Sequence, residues 1–152
     1  MLSTSSRGSI GELRVCIDLM KKNWTVFQPI VDDMSCDLVA IKKNVIKTIQ
    51  VKSHSRCHNK SSTSITVDLR SKNRRKKTNT INEFKNFARV SCSNIDIIAV
   101  PMRIKEFKIN TVIYIPTKEI KNLQSIAIAF TGALSGQEKK RRKYQDYLDV
   151  PI

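Results

Sequence analysis

The stretch over residues 37–52, DLVAIKKNVIKTIQVK, is the feature that most constrains the fold of this chain. It holds many β-branched residues on both sides of a polar pair, Lys43 and Asn44. β-Branched residues favour strands, and Asn is one of the few residues that accept a positive φ in a tight turn. The sequence therefore predicts a β-hairpin in which Lys42 pairs with Val45.

This register places three polar side chains at one edge of an apolar hairpin. Asp37 falls opposite Gln50, and cross-strand partners project to the same face of a sheet. Lys52 lies two residues beyond Gln50 and shares that face. Polar groups in such a place are costly unless they are paired or functional, so we expect a site here.

Two other acids precede the hairpin, and a third follows it much later in the chain. Asp32 and Asp33 belong to a predicted loop, where Asp commonly serves turn formation. We prefer Asp37 because a residue at the start of a strand is fixed in position, although Asp33 can still assist. Asp96 begins a predicted strand and is open to a structural or a functional interpretation.

The charge of the chain indicates a polyanionic partner. Lys and Arg total 28 against 13 Asp and Glu, which gives 152 residues a formal net charge of +15. Such an excess favours nucleic acid. A membrane partner is disfavoured because the sequence has no basic amphipathic helix with a broad apolar face and no apolar run of spanning length. We expect one soluble, intracellular domain over residues 1–152.

Two segments concentrate the basic residues. The second, over residues 139–143, is KKRRK, for which a solvated helix face or a localisation signal is the alternative interpretation. The first lies downstream of the hairpin and is expected to contact DNA phosphates; its basic residues are Arg70, Lys72, Arg74, Arg75, Lys76 and Lys77.

The four cysteines are scattered, and free thiols are the preferred interpretation. Cys36, Cys57, His54 and His58 together suggest zinc. However, the adjacent Cys57 and His58 cannot easily share one tetrahedral ion, and the paired C-x-x-C spacing of zinc sites is absent.

The remaining elements follow from hydrophobic periodicity. Residues 1–8 are expected to be loose, and a helix is predicted over residues 9–22, where Ile10, Leu13, Ile17 and Met20 recur at helical spacing. Glu12 shares a helical face with Cys16 and Leu19 and is expected to look toward the core. Strands are predicted over residues 24–30, 65–70, 95–102 and 111–115, helices over 81–90, 117–124 and 137–148, and either one over 126–130.

The hairpin residues also carry a resemblance to a known family. Asp37 followed by Gln50-Val51-Lys52 resembles the active-site hairpin of the PD-(D/E)XK nuclease superfamily. Glu12 on an upstream helix, together with Ser53, is most similar to the homing endonucleases of group I introns. The resemblance implies an α/β fold with a mixed central β-sheet flanked by helices, a restriction-endonuclease/Holliday-junction-resolvase-like core.

The resemblance also implies roles for these residues in phosphodiester hydrolysis. Asp37, the Val51 carbonyl and Glu12 would bind a divalent cation, for which Mg²⁺ suits the oxygen ligands. Lys52 would orient water or stabilise charge on the phosphate, and Ser53 would hydrogen-bond the phosphate. Gln50 departs from the family pattern, because many relatives place a second carboxylate there.

The function expected from these features is metal-dependent, sequence-specific cleavage of double-stranded DNA. Breaking both strands requires two active sites, so a homo-oligomer is expected, a dimer or a tetramer. DNA binding implies a bacterial cytoplasmic protein associated with the nucleoid. The alternatives are a structure-specific junction-resolvase-like nuclease and a non-catalytic basic nucleic-acid-binding protein.

Overall fold

The computed structural model describes residues 3–30, 36–56, 63–69, 94–105, 108–120, 123–130 and 142–152. Its first element is helix α1, Thr4–Lys21, which begins earlier than the predicted start at residue 9. The side-chain oxygen of the N-cap residue Ser3 accepts a hydrogen bond from the backbone N–H of Ser6 at 3.1 Å. This bond satisfies one of the unpaired donors of the first turn, so the Ser/Thr-rich segment that was expected to be loose is partly helical.

A five-stranded mixed sheet forms the centre of the fold. Its strands, in their order across the sheet, are β1 (Thr25–Phe27), β2 (Leu38–Lys42), β3 (Val45–Val51), β6 (Ile97–Ile104) and β7 (Ile109–Pro116). The pair β3–β6 is parallel, and the other neighbours are antiparallel. A mixed central sheet with a flanking helix confirms the predicted fold class.

A second sheet of four strands, in the order β4-β5-β8-β9, was not predicted as a unit. Its strand β8 resolves the ambiguous residues 126–130 as mainly β-structure. The pair β5–β8 is antiparallel and the pair β8–β9 is parallel. The strands are β4 (His54–Arg56), β5 (Ser64–Asp68), β8 (Ser125–Ala129) and β9 (Arg142–Lys143).

The central sheet is buried on both faces, as strand β6 illustrates. Ile97 and Ala99 belong to the apolar cluster beneath helix α1, whereas Ile98 and Val100 belong to the cluster shared with the second sheet. Alternate residues of one strand thus enter two different cores. Burial on both faces explains why this segment is almost continuously apolar.

Helix α1 packs on the sheet through a face that the hydrophobic spacing did not indicate. Val15 and Leu19 are fully buried, whereas Ile10, Leu13, Ile17 and Met20 are exposed. Glu12 and Cys16 lie at the margin of the buried face and are half-buried. In the described part of the chain, no helix is both long enough and apolar enough to cross a bilayer.

The helix predicted over residues 117–124 is wrong. In the described part of this range, a 3₁₀ turn, Thr117–Glu119, follows strand β7, and Thr117 is not an N-cap. The Thr117 side chain is buried and its hydroxyl donates to the carbonyl oxygen of Ile95 at 2.5 Å. Because this hydroxyl is used to tie β7 to the start of β6, it is not available to cap a helix.

The helix predicted over residues 137–148 is also wrong for its described part. Arg142 and Lys143 form β9, and a 3₁₀ helix, Tyr144–Tyr147, follows. Pairing of Arg142 with Ile128 and the packing of the tyrosines on the core override the local helical pattern. Residues 137–141, like the helix predicted over 81–90, lie outside the described residues.

Candidate active site

The hairpin has the predicted register. Lys42 pairs with Val45 and Leu38 pairs with Ile49. The turn differs in one detail, because the positive φ of 54° belongs to Lys43 and not to Asn44. A positive φ at the first turn position alone is the pattern of a type II′ turn. The predicted position of the turn is therefore correct, but Lys43 and not Asn44 adopts the positive φ.

Asp37 is held at the open end of this hairpin by backbone hydrogen bonds. Its N–H donates to the carbonyl oxygen of Ile49 at 2.9 Å, which continues the ladder by one residue. Its carboxylate oxygen Oδ2 accepts a hydrogen bond from the N–H of Val51 at 2.6 Å. The side chain is therefore fixed at the end of strand β3.

Partial burial dominates the electrostatics of Asp37. Desolvation raises the pKa of its carboxyl above the ordinary value, against smaller opposing effects of the Val51 N–H and the nearby charge of Lys52. The carboxylate is thus an anion that has lost part of its hydration. Such a group gains by binding a cation.

Gln50 supplies a second oxygen at the same end of the strand. Its neighbours Ile49 and Val51 belong to the cluster beneath helix α1, so strand alternation turns Gln50 toward the opposite face. Its side-chain oxygen Oε1 is buried and has no hydrogen-bond partner among the described residues. Leaving a buried acceptor unsatisfied costs about 1–3 kcal/mol, which a bound cation would offset.

Lys52 and Ser53 continue the chain directly beyond β3. The N–H of Lys52 donates to the carbonyl oxygen of Ala99 at 2.9 Å, which extends the pairing with β6 and fixes the backbone there. The Lys52 side chain is half-buried, and Ser53 is exposed. The structure therefore brings Asp37, Gln50 and Lys52 to one strand end, as the sequence predicted.

Glu12 approaches from helix α1 on the other face of the sheet. A Cβ atom on the adjacent Gly11 would lie 3.5 Å from Pro101 Cγ and 3.8 Å from Val51 Cγ1, so the helix rests on the end of β3. Glu12 Oε2 accepts a hydrogen bond from Nε2 of Gln28 at 3.4 Å. Gln28 is a neighbour of the site that the sequence analysis did not single out. The role of Glu12 as a metal ligand stays a prediction.

Asp96 has a structural role in this arrangement. Its Oδ2 accepts hydrogen bonds from the N–H of Thr48 at 2.8 Å and from the Thr48 hydroxyl at 3.0 Å. These bonds tie the start of β6 to the middle of β3. Asp96 thus supports the register of strand β3.

Several predicted residues lie outside the described residues. These include the rival acids Asp32 and Asp33 and two members of the suggested zinc set, Cys57 and His58. Within the described ranges, no group of three or more His, Cys, Asp or Glu side chains could hold a metal ion. Also outside lie all of the residues predicted to contact DNA, Arg70, Lys72, Arg74, Arg75, Lys76 and Lys77.

The chain matches a protein family in sequence and a solved endonuclease structure in fold. The family model described as PD-(D/E)XK endonuclease matches residues 2–133. A solved structure of a bacterial homing endonuclease, I-Ssp6803I, superimposes with a TM-score of 0.62 at 21% sequence identity, covering 97% of this chain and 87% of that one. At this identity the likeness concerns the fold. No curated protein matches the sequence.

Proposed function

Because this chain belongs to the PD-(D/E)XK endonuclease family and is a DNA endonuclease, we propose that it makes sequence-specific double-strand breaks in a metal-dependent reaction. The observation that carries the proposal is the fixed Asp37 carboxylate at one strand end. The same strand end holds the Lys52 charge and the buried Gln50 oxygen, which has no hydrogen-bond partner among the described residues. Homing is the biological role proposed for such breaks, by analogy with the similar bacterial enzyme.

The donor set fits a divalent cation, and we assign Mg²⁺ to it. Asp37 provides a partly desolvated carboxylate, and Gln50 provides a neutral oxygen that has no hydrogen-bond partner in the part of the chain that the structure describes. We propose that the Val51 carbonyl and Glu12, which approaches the strand end from the α1 side of the sheet, complete an oxygen-only set, and such a set suits Mg²⁺. When bound, such a cation lowers the pKa of its water and withdraws charge from the phosphate oxygens.

The protein side chains perform the remaining tasks. Lys52 is anchored through its backbone to β6 and places its ammonium group near Asp37. In this position it orients the attacking water or stabilises the charge that develops on the phosphate. Ser53, at the exposed side of the same strand end, donates to a phosphate oxygen.

Recognition of DNA follows from charge and symmetry. The net charge of +15 supports binding to the DNA backbone, for which we retain the basic residues of segment 70–77 and the segment over 139–143. One domain over residues 1–152 would carry both the active site and these segments. Cleavage of two strands requires at least two copies, so we propose a dimer or a dimer of dimers acting on nucleoid DNA.

The test is cleavage of defined DNA substrates. The protein is incubated with a linear duplex library and with four-way junctions, each with Mg²⁺ or with EDTA. We expect cuts at a defined duplex sequence in Mg²⁺ and none in EDTA. Cleavage of junctions alone would replace the proposal by a resolvase-like function, and cleavage that persists in EDTA would refute the metal assignment.

A further inference from the structure

Helix α1 carries an apolar stripe on its outer face. We call Ile10, Leu13, Ile17 and Met20 the α1 stripe; their side chains are 45%, 56%, 53% and 63% exposed, respectively. Their spacing of three, four and three residues is that of the a and d positions of a heptad. A stripe restricted to a and d positions is the narrow seam of a coiled coil and not the broad face of a helix that packs on a globular core.

The opposite side of the same helix is already occupied. Val15 and Leu19 are fully buried, and Gly11 lies against Pro101 and Val51. The helix therefore cannot rotate to bury the α1 stripe in its own domain. A helix that lies in a lipid surface has one apolar side, and that side is buried in the membrane. Helix α1 instead has two apolar sides, and one of them is packed on the sheet of its own domain.

The charges beside the stripe limit what can cover it. The e positions of this heptad are all basic: Arg7, Arg14 and Lys21. The g positions on the other edge, Ser9 and Cys16, are uncharged. An apolar stripe offers no donors to DNA phosphates, so DNA is not its partner. The partner must present an apolar seam and must place no cation against the basic edge.

A second copy of this chain meets these conditions in one orientation. In a parallel helix pair, each g residue of one helix faces the e residue five positions later in the other helix, so Arg14 and Lys21 meet the uncharged Ser9 and Cys16. In an antiparallel pair, the basic edges would face each other. We infer that the chain self-associates through a parallel, twofold pairing of helix α1 along the α1 stripe.

This pairing orients the two active sites. Lys42 donates to the carbonyl oxygen of Lys22 at 2.8 Å, which places the hairpin turn at the C-terminal end of α1. Gly11 contacts Val51, which places the catalytic end of β3 beside the N-terminal half. A twofold axis along the parallel helices therefore puts both catalytic ends on one side of the dimer. One dimer can then cut both strands of a duplex. This role of the dimer rests on the proposed function.

The area of the α1 stripe determines how tightly we expect the two copies to associate. An 18-residue helix is about 27 Å long and holds two heptads of stripe. Four half-exposed side chains supply only part of the roughly 800 Å² per partner of a standard interface. The stems of Arg7 and Lys21 add to it. We therefore expect a dimer that dissociates on dilution.

The first test is the mass of the protein in solution, measured by sedimentation over a range of concentrations. We expect the double substitution Leu13→Glu/Ile17→Glu to remove one association step, from dimer to monomer or from tetramer to dimer. Ile46→Glu is the matched control, because Ile46 is 61% exposed on strand β3 and should leave association unchanged. Circular dichroism checks that each variant is folded.

A second test determines the orientation through disulfides in a Cys16→Ser background. In the parallel pair, Met20 lies beside Met20 of the other copy, so Met20→Cys should form a disulfide with itself on mild oxidation. In an antiparallel pair, those positions are about 15 Å apart, beyond the Cα separation that a disulfide allows. There, a mixture of Ile10→Cys and Met20→Cys proteins would instead form the mixed disulfide.

The outcomes separate this inference from the proposed function. A monomeric wild type at all concentrations, or undiminished association of Leu13→Glu/Ile17→Glu, would overturn the interface. The mixed disulfide alone would overturn the parallel orientation. A dimer with the expected disulfide that cleaves no DNA would refute the proposed function and uphold the interface. If both hold, the double variant should nick supercoiled plasmid without linearising it.

Discussion

The carboxylate of Asp37 accepts a hydrogen bond from the backbone N–H of Val51, at 2.6 Å and across the open end of the hairpin. Val51 stands between Gln50 and Lys52 in the chain. This bond therefore couples the position of the acid directly to the strand that bears the amide and the ammonium group. Because the donor is the backbone N–H of Val51, its position is set by the strand and not by a side-chain rotamer.

We predict that Asp37→Asn and Lys52→Ala each lower single-turnover cleavage by about 100-fold or more. Loss of a cation-binding carboxylate or of a charge aimed at the phosphate removes several kcal/mol of transition-state stabilisation. DNA affinity, measured in Ca²⁺ to prevent cleavage, should change little. Matched controls are Asp146→Asn in the second 3₁₀ helix and Lys47→Ala on β3. Full activity of a pure Asp37→Asn protein would refute the site.

The pKa of Asp37 gives a prediction for the metal-free protein. Burial raises this pKa, so the folded state holds the proton more tightly than the unfolded chain does. Stability is thus lost as pH rises through the unfolded and then the folded pKa. Asp37→Asn escapes this loss. It should melt at a higher temperature than the wild type at pH 7 in EDTA, and the difference should shrink at acidic pH.

The contrary result would also be informative for Asp37. A lower melting temperature of Asp37→Asn at neutral pH would mean that the Val51 hydrogen bond and the Lys52 charge together outweigh the effect of burial. Thermal unfolding at several pH values in EDTA distinguishes the two cases, with Asp146→Asn as the exposed reference.

We predict opposite effects of Gln50 substitutions with and without metal. Gln50→Met removes a buried acceptor that has no described partner, and should stabilise the metal-free protein by about 1 kcal/mol. It should also weaken the rise in melting temperature that Mg²⁺ produces. Gln50→Glu should bind Mg²⁺ more tightly and shift the pH optimum, because a further carboxylate crowds like charges.

Thermal unfolding in EDTA and across a Mg²⁺ titration measures these changes. Gln145→Met, at an exposed position, is the control for the substitution itself. Identical Mg²⁺ responses of wild type, Gln50→Met and Gln50→Glu would show that Gln50 only fills a strand position.

We predict a stability cost at a partly buried contact beneath helix α1. The Tyr114 hydroxyl donates to Asp18 Oδ2 at 2.7 Å, and Lys22 forms an ion pair with the same oxygen at 2.7 Å. Burial and the Asp18 contact raise the pKa of Tyr114, so the hydroxyl remains a donor at all ordinary pH values. Tyr114→Phe should lower the free energy of unfolding by about 2 kcal/mol, measured by urea denaturation.

Tyr147→Phe serves as the matched control for that measurement. Its hydroxyl donates to Glu119 at 3.0 Å in an exposed contact, so its loss should cost no more than about 0.5 kcal/mol. Equal effects of the two substitutions would contradict the assignment of a larger cost to the partly buried Tyr114 hydrogen bond.

We predict that DNA affinity depends steeply on salt. If six or more phosphates are neutralised, affinity should fall by about 10³-fold between roughly 50 and 200 mM salt, because counterions are released on binding. The measurement is fluorescence anisotropy with a labelled duplex in Ca²⁺. A flat dependence would remove the basic segments from the interface.

The hairpin could be predicted from sequence because its information is local. Strand propensity on both sides of Lys43 and Asn44 fixes the turn, and the register then places Asp37 opposite Gln50 without reference to the rest of the chain. The same locality explains the partial success with helix α1. Its existence follows from periodicity, but which side is buried depends on the sheet beneath it, so the α1 stripe was not recognised as exposed.

The errors fall where distant segments pair. Residues 142–143 form β9 only because strand β8 is beside them, and their own sequence favours a helix. From its sequence position, Thr117 is predicted to cap a helix. In the structure its hydroxyl instead donates to the carbonyl oxygen of Ile95. The burial of the Gln50 oxygen likewise depends on tertiary packing, and no local pattern reports it.

The parallel pairing of β3 with β6 has a consequence for the order in which the enzyme is made. Every proposed catalytic residue precedes residue 54, yet strand β3 is completed by Ile97, Ile98 and Ala99. Closing the long loop between these strands carries an entropic cost that local contacts do not repay. A nascent chain therefore exposes all of the proposed catalytic side chains well before it can hold them in place. The nuclease becomes competent only after the ribosome has released β6, which delays activity until late in synthesis.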